Sequence, residues 1–169
     1  MKLILMRHAE AAPSDNVCYP DDAQRPLTVK GGKTQQKVAQ ALKQKGILPT
    51  HIFVSPRLRA RQTADITAQV LGLGHVVEER EELDGGYALA AVIALLRTFE
   101  GERCVLCVGH EPDMSGWAAG LLSPAQASHI HFVQSAVLGL EFAGAVSEGN
   151  GVLNYFYRPQ DLLAQQEMQ

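Results

Sequence analysis

Lys2-Leu3-Ile4-Leu5-Met6-Arg7-His8 and Cys104-Val105-Leu106-Cys107-Val108-Gly109-His110 are two short apolar runs, each ending at a histidine. Brief apolar runs bounded by polar residues fit strands buried on both faces, the kind found in parallel sheets. Around them the chain alternates. Thr28 is suited to a helix N-cap, the stretch to Lys45 has helical composition, and Gly46 sits where that helix ends, although Gly31-Gly32 weakens the reading near its start. His51 to Val54 is a second apolar strand stopped by Ser55-Pro56, and Leu58 to Leu71 has helical spacing up to Gly72. His75 to Glu79 is a weaker strand, Tyr87 to Phe99 an apolar helix, and a short helix runs from Pro112 to about Leu122. Ala136 to Phe142 and Gly151 to Tyr157 read as a hairpin joined through Gly144 to Gly149, with a terminal helix in Arg158 to Gln169. This order predicts a three-layer α/β/α sandwich with a mainly parallel central sheet and an antiparallel edge. With no internal repeat or composition break, residues 1–169 are expected to form one domain.

The 169 residues carry 15 Lys+Arg against 18 Asp+Glu, a formal net charge of -3. A chain of this size buries roughly 70% of its extended surface and needs no disulfide or structural metal to fold. The acidic balance argues against nucleic-acid binding. Tyr87 to Leu96 is the longest apolar stretch, too short for a hydrocarbon core of about 30 Å. Leu3 to Met6 is too short for a signal-peptide core of about 7–15 residues. A cytoplasmic monomer without membrane contact is therefore expected, and the odd count of three cysteines fits free thiols.

Ligands of open α/β sheets bind outside the carboxyl ends of the strands. Arg7-His8, Ser55 to Arg61 and His110 follow three such ends, and parallel neighbouring strands would gather them on one rim. Arg57, Arg59 and Arg61 crowd the start of a helix, where the macrodipole is positive and anions are preferred. A helical projection puts Arg59 on the inward stripe with Thr63, Ile66 and Val70, and Arg57 and Arg61 on a solvated face. An inward arginine at a sheet rim reads either as an anion site or as an internal ion pair. Two imidazoles with two guanidiniums suit phosphate, since guanidinium grips its oxygens and an unprotonated imidazole is a competent nucleophile.

Other patterns are weaker. Gly32-Lys33-Thr34 lacks the upstream glycine of a P-loop, where Leu27 stands, and Gly72-Leu73-Gly74 lacks the third glycine of a dinucleotide fingerprint. Cys104 and Cys107 have redox spacing, but alternation along a strand points them to opposite faces. His129 and His131 have no third metal ligand nearby, and His51 and His75 fall at the opposite ends of their strands.

At its unusual residues the chain resembles the histidine phosphatase superfamily, with its phosphoglycerate-mutase-like fold, and most closely the short bacterial SixA-type phosphohistidine phosphatases. The matching segments are Leu5-Met6-Arg7-His8-Ala9, Arg25-Pro26-Leu27-Thr28 with Gly31, Val54-Ser55-Pro56 with Arg59-Ala60-Arg61-Gln62-Thr63, Glu82-Leu83, and Val108-Gly109-His110-Glu111-Pro112. Most members read Arg-His-Gly, and Ala9 departs from that. The resemblance implies that His8 becomes a phosphohistidine that water then hydrolyses, with Arg7, Arg59 and His110 holding the phosphoryl oxygens, Ser55 in the substrate site, and no metal or cofactor. By position Glu82 matches the family's leaving-group acid, with Asp84 and Glu111 as close alternatives. An imidazole leaving group needs an acid less than an alkoxide does, which favours a phosphorylated histidine on a phosphotransfer protein domain over a small phosphate ester. The third alternative is a phospho-protein binding module without catalysis.

Overall fold

Leu3 and Leu5 face one side of the first strand and Ile4 and Met6 the other, and all four are buried, because a helical layer covers each face. The computed structural model describes all of the chain except residues 16, 74–75, 100–102, 124–129 and 167–169. Its elements are β1 (Lys2–Arg7), α1 (Val29–Gln44), β2 (His51–Val54), α2 (Leu58–Leu71), β3 (Val77–Glu79), α3 (Leu89–Arg97), β4 (Cys104–Gly109), α4 (Asp113–Leu121), β5 (Val137–Glu141), β6 (Val152–Tyr157) and α5 (Pro159–Gln166). Two 3-10 turns, Asp22–Gln24 and Glu81–Leu83, lie beside the strand ends.

The sheet order is β3-β2-β4-β1-β5-β6. β3, β2, β4 and β1 are mutually parallel, while β5 runs antiparallel to both β1 and β6. The α/β/α sandwich with an antiparallel edge is therefore observed. α3 and α4 cover one face with Phe53, Leu96, Cys107, Trp117 and Phe132, and α1, α2 and α5 cover the other with Val38, Ile52, Val54, Ala64 and Leu162. Cys107 belongs to the first core and Cys104 packs on the second, the opposed arrangement expected from alternation. Burial pushes the Cys107 thiol up to about 12, so it remains an inert thiol.

Boundaries shifted where the backbone turns. α3 starts two residues later than expected, since Gly85 and Gly86 have positive φ and Ala88 is an extended N-cap, which leaves Tyr87 outside the helix. β3 begins at Val77, and His75 and Gly74 lie outside the described residues, as does His129. Gly31-Gly32 does not weaken α1. Thr28 caps it by accepting from the Gly31 N–H at 2.9 Å, and a Cβ on Gly31 would stand 2.1 Å from the Glu10 carbonyl oxygen. The glycine lets the helix start press on the segment that follows β1. Gly31→Ala should therefore destabilise by about 1–3 kcal/mol. Gly32→Ala, whose Cβ meets only Ile66 Cδ1 at 3.8 Å, should gain up to about 1 kcal/mol from helix propensity. Urea midpoints compare the two directly.

Candidate active site

Met6, Val108 and Val54 lie in one row of the sheet, so β1, β4 and β2 end level with one another. The ladder continues past them, with His8 N–H donating to Gly109 O at 3.0 Å and Ser55 N–H to Val108 O at 3.1 Å. The shared rim expected from the sequence is thus formed. His8 and His110 face each other there, ring centroids 5.1 Å apart, at the floor of an open cleft of ≈ 450 Å³. Arg7, Arg25, Arg57 and Arg59 line it, with Asp84, Glu111 and Asp113.

The His8 ring is oriented from behind. Its Nδ1 is 2.7 Å from the Ala9 carbonyl oxygen, which can only accept, so Nδ1 carries the proton and Nε2 keeps the lone pair. Burial brings its pKa down to about 4, with the cations Arg59, Arg7 and Arg25 acting in the same direction and the bond to Ala9 opposing them. The Ala9 N–H donates to Thr63 Oγ1 at 3.0 Å, tying this segment to α2, and Ala9 is itself fully buried.

Arg59 is buried as expected, but its stripe is Arg59, Thr63 and Thr67 with Ala60, Ala64 and Ala68, while Ile66 and Val70 are half-buried. Its Nη1 donates to Asp22 O at 2.8 Å and its Nη2 to Asp22 Oδ2 at 3.0 Å. The ion-pair and anion-site readings are both compatible with this, because the Asp22 bonds use only Nη atoms. Arg7 is anchored likewise, Nη1 donating to Phe132 O at 2.7 Å. Glu111 accepts from Phe132 N–H at 2.9 Å and from the Ser115 hydroxyl, and its charge partly offsets the lowering of the Arg7 pKa by burial. Arg7 Nε, Arg59 Nε and His110 Nδ1 are buried without a hydrogen-bond partner among the described residues. Unpaired buried polar groups are rare, and two N–H donors with a ring nitrogen beside a free His8 Nε2 are what a tetrahedral oxyanion would engage.

Asp22 keeps this concentration of positive charge together. Burial alone would raise its carboxyl, and the guanidiniums of Arg59 and Arg25 reverse that and leave it below the usual range. Its Oδ1 also takes Arg25 Nε at 3.0 Å and its Oδ2 takes Arg57 Nη1 at 3.2 Å.

Several residues stand elsewhere than the sequence suggested. Arg57 lines the cleft instead of a solvated face, because it is the extended N-cap and the helical projection does not apply to it. Arg61 is half-exposed and pairs with Glu79, as a surface residue should. Ser55 is wholly buried beneath the cleft, bonded to His110, and does not line it. Glu82 is absent from the lining as well, since Leu83 takes the inward position of its 3-10 turn, whereas its alternatives Asp84 and Glu111 are both present. Arg25 opens the matched segment Arg25-Pro26-Leu27-Thr28, whereas Asp22, three residues before it, carried no signal in the sequence.

Residues 3–86 match the histidine phosphatase superfamily (branch 1). An uncharacterized protein of Picosynechococcus sp. (strain PCC 7002) is 35% identical over 147 residues, 86% of this chain and 87% of its own length. The phosphohistidine phosphatase SixA of Escherichia coli is 30% identical over 164 residues, 96% of each chain. The chain belongs to the histidine phosphatase superfamily. A solved structure of the protein histidine phosphatase SixA complexed with tungstate superposes on this histidine phosphatase with a TM-score of 0.84, at 30% identity, covering 96% of this chain and 99% of the other. Among the described residues no helix is long and apolar enough to cross a membrane, and no cluster of three or more metal-ligating side chains occurs.

Burial, the neighbouring His8 ring, and Arg59 and Arg57 push His110 down to about 3, so both imidazoles of this histidine phosphatase are neutral near pH 7. Unfolded, both rings take up protons near 6.5; folded, they do so only near 4 and 3. The unfolded state therefore binds more protons through this window, so stability should fall as pH drops from 6.5 toward 4. Chemical denaturation across that range should show the slope, and it should be shallower in a His8→Asn/His110→Asn double variant.

Proposed function

We propose that this enzyme is a phosphohistidine protein phosphatase, one domain across residues 1–169, acting on a phosphorylated histidine of a phosphotransfer protein domain in a phosphorelay. The observation that supports it most directly is the neutral His8 ring, protonated on Nδ1, beside the unspent Nε–H donors of Arg7 and Arg59. His8 Nε2 attacks phosphorus in line as the bond from phosphorus to the substrate's ring nitrogen breaks. The substrate ring, already protonated on its other nitrogen, leaves as neutral imidazole. Water then attacks the phosphorus on His8, the bond to Nε2 breaks with its electron pair returning to the ring, and phosphate keeps the proton that water gives up. Arg7 and Arg59 hold the non-bridging oxygens and neutralise charge as it redistributes, the role that makes a metal unnecessary.

The carboxylates of the cleft favour this substrate class. Asp84 accepts from Arg57 Nε at 2.8 Å, Asp113 from the Gly86 N–H at 3.0 Å, and Glu111 from Ser115 and Phe132. Each is committed as an acceptor, which suits a leaving group that needs no protein acid. The near full-length similarity to SixA of Escherichia coli points the same way.

Turnover of a phosphorylated histidine phosphotransfer domain, compared with sugar and nucleotide monophosphates with and without chelator, tests the assignment. Activity on the protein substrate that survives chelation is expected; activity on small esters alone would overturn it. His8→Ala should lose the acid-labile phosphoenzyme and at least about 10³-fold in kcat. Glu82→Gln should turn over the protein substrate as the wild type does.

A further inference from the structure

Ser55 links His110 to a carboxylate. Its Oγ lies 2.7 Å from His110 Nε2, 3.3 Å from Asp84 Oδ1 and 3.2 Å from the Arg57 N–H. A serine hydroxyl has one proton and two lone pairs. One lone pair accepts the Arg57 N–H, which can only donate. The single proton can then go to Asp84 or to His110. Asp84 is paired with Arg57 Nε at 2.8 Å and as a carboxylate only accepts, so without a proton between them the two oxygens would face each other lone pair to lone pair. The proton therefore goes to Asp84, and the remaining lone pair of Ser55 takes a proton from His110 Nε2. The neutral His110 ring is then unprotonated at Nδ1, the buried nitrogen left without a partner.

We propose that Ser55 and Asp84 are positioning residues that hold the His110 proton on Nε2, so that Nδ1 accepts a proton when the phosphoryl group enters and only then donates to it. The proposal rests on the active-site reading above but not on which substrate is used. A phosphoryl monoanion would pass its O–H proton to Nδ1: the oxygen keeps the electron pair, the ring becomes imidazolium with both nitrogens protonated, and Ser55 and Asp84 keep theirs. A fully deprotonated tetrahedral anion would require the proton from solvent. The groups facing His110 are His8 and Arg59, Arg57 and Asp22, with Asp84 behind Ser55. The cations oppose a charged ring in the free enzyme, and an entering anion reverses that balance. This gives Asp84, an alternative for the leaving-group acid by sequence, a different duty.

Two-bond proton–nitrogen spectra of the His110 ring at neutral pH report its tautomer directly, without any turnover. Nε2–H is expected in the wild type and in Asp84→Asn, which retains an acceptor oxygen; Nδ1–H is expected in Asp84→Ala, where the serine proton is released to His110. Calorimetry with tungstate, a proton-free dianion, in buffers of different ionisation enthalpy supplies the second readout. The wild type and Asp84→Asn should take up about one proton more per tungstate than Asp84→Ala. Nδ1–H in the wild type, one tautomer in all three proteins, or equal proton uptake would overturn the proposal. The wild-type spectrum alone can do so if Asp84→Ala does not fold. Failure of the phosphohistidine assignment would leave these readouts unchanged.

Discussion

His8 and His110 stand side by side because β1 and β4 pair in parallel with Arg7 opposite Gly109. Parallel pairing in a two-sided sheet fixes register strongly, since sliding by one residue would turn every inward side chain of β1 to the wrong face. Leu3 and Leu5 belong to one core and Ile4 and Met6 to the other, so such a slip would exchange two differently shaped sets of neighbours. The geometry of the cleft is thus maintained by apolar packing several residues away, and the polar groups only tune what the register has placed.

That tuning sets burial and cationic neighbours against imidazole protonation. Four arginines line one cleft, and both rings respond by remaining neutral well below their ordinary pKa. Only in this state does each ring keep a nitrogen lone pair. Arginines so close together would be unfavourable by themselves, and Asp22 makes the cluster possible by accepting from three of them while leaving Arg59 Nε unpaired. The same carboxylate therefore reduces repulsion and aims a donor.

The sheet was legible in the sequence because β1 and β4 are continuous apolar runs, and the rim was legible because each run ends at a histidine. Arg59 stood out because a cation at the start of a helix, on its inward stripe, contradicts the local rule. Arg57 was misplaced for a reason periodicity cannot see: it precedes the helix and has extended backbone. Ser55 and Glu82 show a related limit, since position after a strand does not tell whether a side chain lies in a cleft or beneath it. Gly31 had the reverse problem, reading as a weak helix start when the approach of Glu10 is what requires it. Contacts between distant segments decide such cases.

The anchoring of Arg7 joins the two ends of the sequence. Every matched segment lies before residue 113, yet Arg7 Nη1 is bound to the carbonyl of Phe132 and the Arg7 N–H donates to Ala136 O. β5 then closes on the free side of β1. The cleft residues His8, Arg7, Arg25, Arg57, Arg59 and His110 all come from the first two thirds of the sequence, while the groups that hold Arg7 come from the last third. The last third of the chain therefore completes the anchoring of a residue near its start, and the antiparallel edge is a structural part of the cleft.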